Sequence, residues 1–163
     1  MDWQGLFLRA EGRIGRKDFW IGVLILFAIW VMSHALHLLA PLVWVLLLYP
    51  WVCVFAKRLH DFGRSGWLIA VPFAIGAAAL VLALVFGGMS AMGAIFAAAT
   101  GGAEPTSWGM VFGGLGLMLA MLGVAGLVKL VFILWVGLTP GDPGPNRYGP
   151  PVVTGAAVAP PTP

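Results

Sequence analysis

Two uncharged stretches govern what this chain can become. Residues 19–56 form a run of 38 without Asp, Glu, Lys or Arg, and residues 67–103 form another of 37. A helix that crosses a bilayer needs about 20 largely apolar residues. The first run is therefore long enough for two short spans, and the second for one with residues to spare. An ordinary soluble domain is about 25% charged. This chain of 163 residues is 9% charged and 61% hydrophobic, with a mean hydropathy of +0.99. So few charges cannot coat a water-facing surface. That excludes a soluble enzyme, a disordered chain and a nucleic-acid-binding domain, and leaves an integral membrane protein whose first partner is the lipid bilayer.

Proline and glycine divide the runs. Pro41 splits the first, because proline suits the opening turn of a helix and disfavours helix just before itself. Spans are expected at roughly 18–38 and 42–60, joined by a tight turn. A third is expected at 67–86. Residues 87–108 are rich in Gly, Ala and small polar side chains and include Glu104 and Pro105. They read as an interfacial or loop connection with a short helix near 91–99. The fourth span falls within 109–138, its apolar core at 115–138, with Lys129 inside it. Residues 1–149 then make the membrane domain, and the Pro/Ala-rich tail at 150–163 is expected to be disordered. Pro50 and Pro72 fall inside the second and third spans, where each is expected to kink its helix. The fold class is all-α and polytopic, with four transmembrane helices.

Orientation follows from the cations. Arg9, Arg13, Arg16 and Lys17 precede the first span, Lys57, Arg58 and Arg64 separate the second from the third, and Arg147 follows the fourth. With four spans all eight share one side. The other side holds no Lys or Arg and carries Glu104. Short loops rich in Lys and Arg stay in the cytoplasm, so both termini are expected there (N-in/C-in) and the membrane is expected to be the bacterial inner (plasma) membrane. The first span begins like a signal peptide, but its apolar run is too long and no A-x-A-like site follows, so it reads as a retained helix.

The chemistry-bearing residues fall in three short segments at the expected cytoplasmic ends of helices: 12–20 (GRIGRKDFW), 57–67 (KRLHDFGRSGW) and 140–149 (PGDPGPNRYG). Gly15 and Asp18 suit the start of the first span. Gly63 suits a left-handed residue ending the second, and Ser65 suits the cap of the third. Arg58 and Asp61 are spaced i, i+3, and Lys57 and Asp61 i, i+4, so either pair can meet on one helix face. Asp61 lies at the negative end of its helix and needs compensation, from Arg58, from Arg64 or from backbone N–H groups opening the next helix.

The three segments, in this order, resemble the YhaH/YhaI-type small bacterial inner-membrane proteins, a family of unknown function. The matching patterns are G-R-x-x-R-x-[DE]-[FY]-W at 12–20, [KR]-R-L-H-D-x-x-R-S-x-W at 57–67, and P-G-x-x-G-x-N-R-[FY]-G at 140–149. The resemblance frames residues 1–149. It implies a small multi-pass membrane protein and brings no reaction, ligand or cofactor.

Two readings of the cluster stand side by side. In one, Arg13, Arg16, Arg58, His60, Asp61, Arg64, Ser65, Asn146 and Arg147 organise the bundle as a structural clamp. In the other, the arginines surround the N-terminus of the third span and bind an anionic lipid head group or a phosphate-bearing ligand. A lipid-phosphate enzyme using His60 and Asp61 is a further alternative. Adjacent helical residues point about 100° apart, however, and no Walker loop, nucleophile elbow or zinc motif accompanies them. Lys129 is the one Lys or Arg inside a span. It makes a small transporter or channel subunit another alternative, beside simple snorkelling to the interface. His34 and His37 could share a face, but no third ligand is evident, so neither a metal nor any other cofactor is expected. Cys53 is a single cysteine. Gly109 and Gly113 form G-x-x-x-G within a small-residue surface that suits close packing inside the monomer or a homo-oligomer.

Overall fold

The computed structural model describes residues 2–35, 40–101 and 105–152, with the side chains of 105–108 and 110 outside that description. The expected turn between the first two spans, His37, Glu104 and the tail from 153 onward lie outside the described residues. Among the described residues, five α-helices follow in order: α1 (Trp3–Leu8), α2 (Arg16–His34), α3 (Ala40–Asp61), α4 (Ala70–Ala99) and α5 (Pro105–Leu138), with one 3-10 turn at Gly66–Ile69 before α4. No strand occurs among the described residues. Four helical stretches, Arg16–His34, Ala40–Asp61, Gly66–Ala99 and Val111–Leu138, are long and apolar enough to cross a membrane. The chain is an all-helical, multi-pass membrane protein. Its contacts divide it into two compact units: Met1–Ile69 with Leu134–Pro163, and Ala70–Ile133.

The first unit is built on α2 and α3. Phe19, Gly22, Val23 and Leu26 are the buried face of α2, at the i, i+3, i+4, i+7 spacing that puts residues on one side of a helix. Phe19 meets Phe55 edge to face, ring centroids 5.0 Å apart. Gly22 lets the two helices close. A Cβ there would lie 3.3 Å from both methyls of Val54. The second half of α3 is buried on every side from Cys53 to Leu59, and that run contains Lys57 and Arg58. Both charges are buried deeply, at 3% and 0% exposure, so each must be matched by protein oxygens.

Lys57 finds its partners in α1, a helix that the sequence reading did not anticipate. Asp2 caps α1, its Oδ1 accepting from the Gly5 N–H at 2.9 Å. At the other end, carbonyls that a short helix leaves without partners receive side chains of α3. Lys57 Nζ donates to Gly5 O and, at 2.7 Å, to Leu6 O, and the Tyr49 hydroxyl donates to Leu8 O at 3.0 Å. Lys57 therefore does not pair with Asp61. Six residues are too few to give a readable apolar period, and their helicity depends on these long-range caps.

The second unit consists of α4 and most of α5. Three close approaches fix their relation: Gly76 faces Lys129, Gly87 faces Met118, and Gly114 faces Ser90. One partner's number falls as the other's rises, so the helices run antiparallel. Here the structure departs from expectation. Residues 87–99 continue α4 as helix: the stretch near 91–99 is helical as expected, but it is the end of the long α4 and not a separate short helix in a connection. Gly87, Ser90 and Gly114 are the small side chains that let helix backbones approach. The Ser90 hydroxyl donates back to Phe86 O at 2.9 Å, so the helix tolerates it. The kink expected within a span at Pro72 is not needed either. Pro72 lies in the first turn of α4, where a missing N–H costs little. Pro105 likewise opens α5 at its first position. Pro50 does lie inside α3.

Candidate functional site

The site forms where α3 ends. Gly63 adopts φ +72, the left-handed conformation that closes a helix without a Cβ penalty. Its N–H donates to His60 O at 3.1 Å, and the Arg64 N–H reaches back to Leu59 O at 2.9 Å. Ser65 then starts the 3-10 turn. Its hydroxyl oxygen accepts from the Trp67 N–H at 3.4 Å and its carbonyl from the Leu68 N–H at 3.2 Å. These turns leave Asp61 in the last turn of α3, buried at 4% exposure.

Two arginines hold the Asp61 carboxylate from opposite sides. Arg13 Nε donates to Oδ1 at 3.1 Å, and Arg58 Nη1 donates to Oδ2 from one helical turn earlier. Arg58 also closes the end of another helix. Its Nε donates to Val136 O at 3.1 Å, its Nη2 to Thr139 O, and its Nη1 to Ile14 O at 3.4 Å. The carbonyls at a helix C-terminus lack intrahelical partners and form the negative end of its dipole, so a guanidinium there satisfies both needs. Phe62 flanks it, with the guanidinium carbon 5.9 Å from the ring centroid.

Arg13 is used more completely. A guanidinium has five N–H donors. Beyond Nε, the Nη1 of Arg13 donates to Gly144 O at 2.9 Å and Gly149 O at 3.3 Å, and its Nη2 to Asp61 O at 3.0 Å and Asp142 O at 2.6 Å. All five donors end on protein oxygens, and only 2% of the side chain is exposed.

The acceptors come from residues 140–149, a loop with no regular structure that the site holds in shape. The Asp142 N–H donates to Asp61 O at 2.8 Å. Asn146 Nδ2 donates to His60 O at 3.0 Å and to Asp142 Oδ2 at 2.9 Å, while its Oδ1 accepts from the Tyr148 N–H at 2.9 Å. Asn146 and Gly149 exchange backbone bonds in both directions. The His60 ring lies flat on Tyr148, centroids 3.7 Å apart, and its Nδ1 donates to Gly12 O at 3.3 Å.

Arg13, Arg58, His60, Asp61 and Asn146 thus meet, and Ser65 serves as a turn cap beside them. Arg16, Arg64 and Arg147 are exposed; Arg147 lies over the Tyr148 ring at 4.7 Å. The compensation of Asp61 comes from Arg58 and Arg13, and Arg64 takes no part among the described bonds. His60 and Asp61 turn to different partners, as adjacent helical residues do. His34 donates from Nδ1 to Trp30 O at 2.8 Å. Lys129 belongs to the second unit, where its stem lies along α4, Cε 3.2 Å from where a Gly76 Cβ would stand. Asp142 and the carbonyls of the 140–149 loop, which the sequence reading did not single out, complete the site. The one sequence signal for them is the glycine and proline spacing of that segment, which leaves backbone oxygens free to face inward.

The comparisons with known proteins agree with this geometry in extent. The chain is 31% identical over 146 residues to the protein called uncharacterized protein YiiR in Escherichia coli strain K12, a match covering 85% of this chain and 82% of the relative. The YiiR protein of Escherichia coli O157:H7 matches equally. No solved structure matches the chain. A family model described as protein of unknown function (DUF805) matches residues 7–150, which include every residue of the Asp61 site, and the chain belongs to that family.

Proposed function

We propose that the chain is a non-enzymatic protein of the bacterial inner membrane, of the YhaH/YhaI type, with both termini in the cytoplasm, in which Arg13, Arg58 and Asp61 act as a clamp. The clamp ties the start of α2, the end of α3 and the end of α5 with its following loop. One observation carries this reading: all five donors of Arg13 and the four described bonds of Arg58 end on oxygens of the protein itself. A ligand-binding arginine keeps donors directed at its ligand. The cations left to attract anionic lipid head groups are the exposed Arg9, Arg16, Lys17, Arg64 and Arg147, which act through general electrostatics.

The reading has two tests. Fused after Val152, green fluorescent protein should fluoresce and alkaline phosphatase should stay inactive in the bacterial cell; the reverse pattern overturns the orientation. Inorganic phosphate should leave the melting temperature of the detergent-purified protein where it is. A rise of several degrees that disappears in Arg13→Lys would replace the clamp with an anion site.

A further inference from the structure

We propose that a cavity beside α1 receives a phosphoethanolamine group. The phosphate would be held by Lys57 and Arg9, and the ammonium by Asp18 and Glu11. The proposal rests on the reading above only for its depth in the membrane, and does not depend on the clamp.

The cavity holds about 500 Å³ and is bounded by α1, the segment that follows it, the first turn of α2 and the last turns of α3. Small-molecule sites occupy about 300–1,000 Å³. Its wall carries both signs of charge: Arg9, Arg13 and Lys57 beside Asp2, Glu11 and Asp18. The donors of Arg13 are all engaged elsewhere, and one oxygen of Asp2 caps α1. Lys57 has three N–H donors, and its described bonds use two. It cannot withdraw, because α1 rests on it. A bare anion would face three carboxylates here, and a bare cation would face a fixed ammonium. A ligand carrying a phosphate and a primary ammonium a few bonds apart satisfies both halves of the wall.

The position suits a head group. Asp18 lies in the first turn of α2 and Lys57 in the last turns of α3, where spanning helices leave the hydrocarbon. On α1, Trp3 is 50% and Leu8 58% exposed. Tryptophan at that level is characteristic of the lipid interface, and these side chains offer acyl chains a surface next to the cavity.

The full-length protein in detergent would be offered phosphatidylethanolamine, phosphatidylglycerol and phosphatidylcholine with identical acyl chains, and retained lipid read by native mass spectrometry. Phosphatidylethanolamine should be retained about tenfold over the other two, the size of one charge-assisted hydrogen bond that a trimethylated or uncharged head group cannot make. Asp18→Asn and Glu11→Gln should each lower it to the phosphatidylcholine level, and Arg9→Gln should lower all three together. Melting curves of each variant confirm that it is folded. Soluble O-phosphoethanolamine forms a separate arm. If it binds alone, without a preference among the lipids, and is lost in the same two variants, the ligand is a free metabolite and the chemistry stands. Equal retention of the three lipids without binding of O-phosphoethanolamine, a preference for phosphatidylglycerol, or a preference that survives both carboxylate substitutions overturns the proposal. Failure of the clamp would show separately, as unchanged melting of Arg58→Ala with the lipid preference intact.

Discussion

Arg58→Ala is expected to melt far below the wild type in detergent, with a loss of about 3–5 kcal/mol, the range found when one partner of a buried ion pair is removed. The side chain is fully buried and serves three segments. Without it the Asp61 carboxylate keeps one cation, and the carbonyls of Val136 and Thr139 lose their donor in a place that water does not readily reach. Arg58→Lys should recover little. An ammonium keeps the charge but lacks the planar fork that reaches Ile14, Asp61, Val136 and Thr139 together. The double variant with Asp61→Ala should cost less than the two single losses combined, because the charges are removed as a set. Wild-type melting in Arg58→Ala would end the clamp reading.

Gly141→Ala should be nearly as harmful, although it changes no charge. A methyl group at 141 would stand 2.8 Å from the carboxyl carbon of Asp61, where no atom fits. The backbone cannot move aside easily, because the Asp142 N–H is bonded to Asp61 O at 2.8 Å. Overpacking alone costs about 1–3 kcal/mol, and here it also pushes the carboxylate off both arginines. Gly144→Ala is the control in the same loop: nothing lies within 4 Å of its Cβ position, and its melting should match the wild type. Equal melting of the two variants would show that the loop does not sit against Asp61.

What could be read from the sequence follows the range of the forces involved. The spans were legible because apolar length is a property of contiguous residues. The stop at Gly63, the cap at Ser65 and the Arg58–Asp61 pair were legible because each acts within one helical turn. Arg13 was singled out for the site, but its role was not legible, since it reaches Asp61 across 48 residues and the loop carbonyls across more than 120. Spacing rules do not extend that far. The partners of Lys57 were hidden for the same reason, and with them α1. The continuation of α4 through 87–99 is hidden in the sequence because glycine, which weakens a helix in water, is frequent there. Between helices packed in a membrane the same residues favour close contact.

The long reach of Arg13 and Arg58 also bears on how the protein is made. A chain emerging from the ribosome carries Arg13, Arg58 and Asp61 before it carries Val136, Thr139, Asp142, Gly144 or Gly149. Until residues 136–149 are synthesised, two guanidiniums share one carboxylate and lack most of their acceptors. An interrupted chain stays in that state. It would carry two guanidiniums short of acceptors, and synthesis of residues 136–149 would supply them.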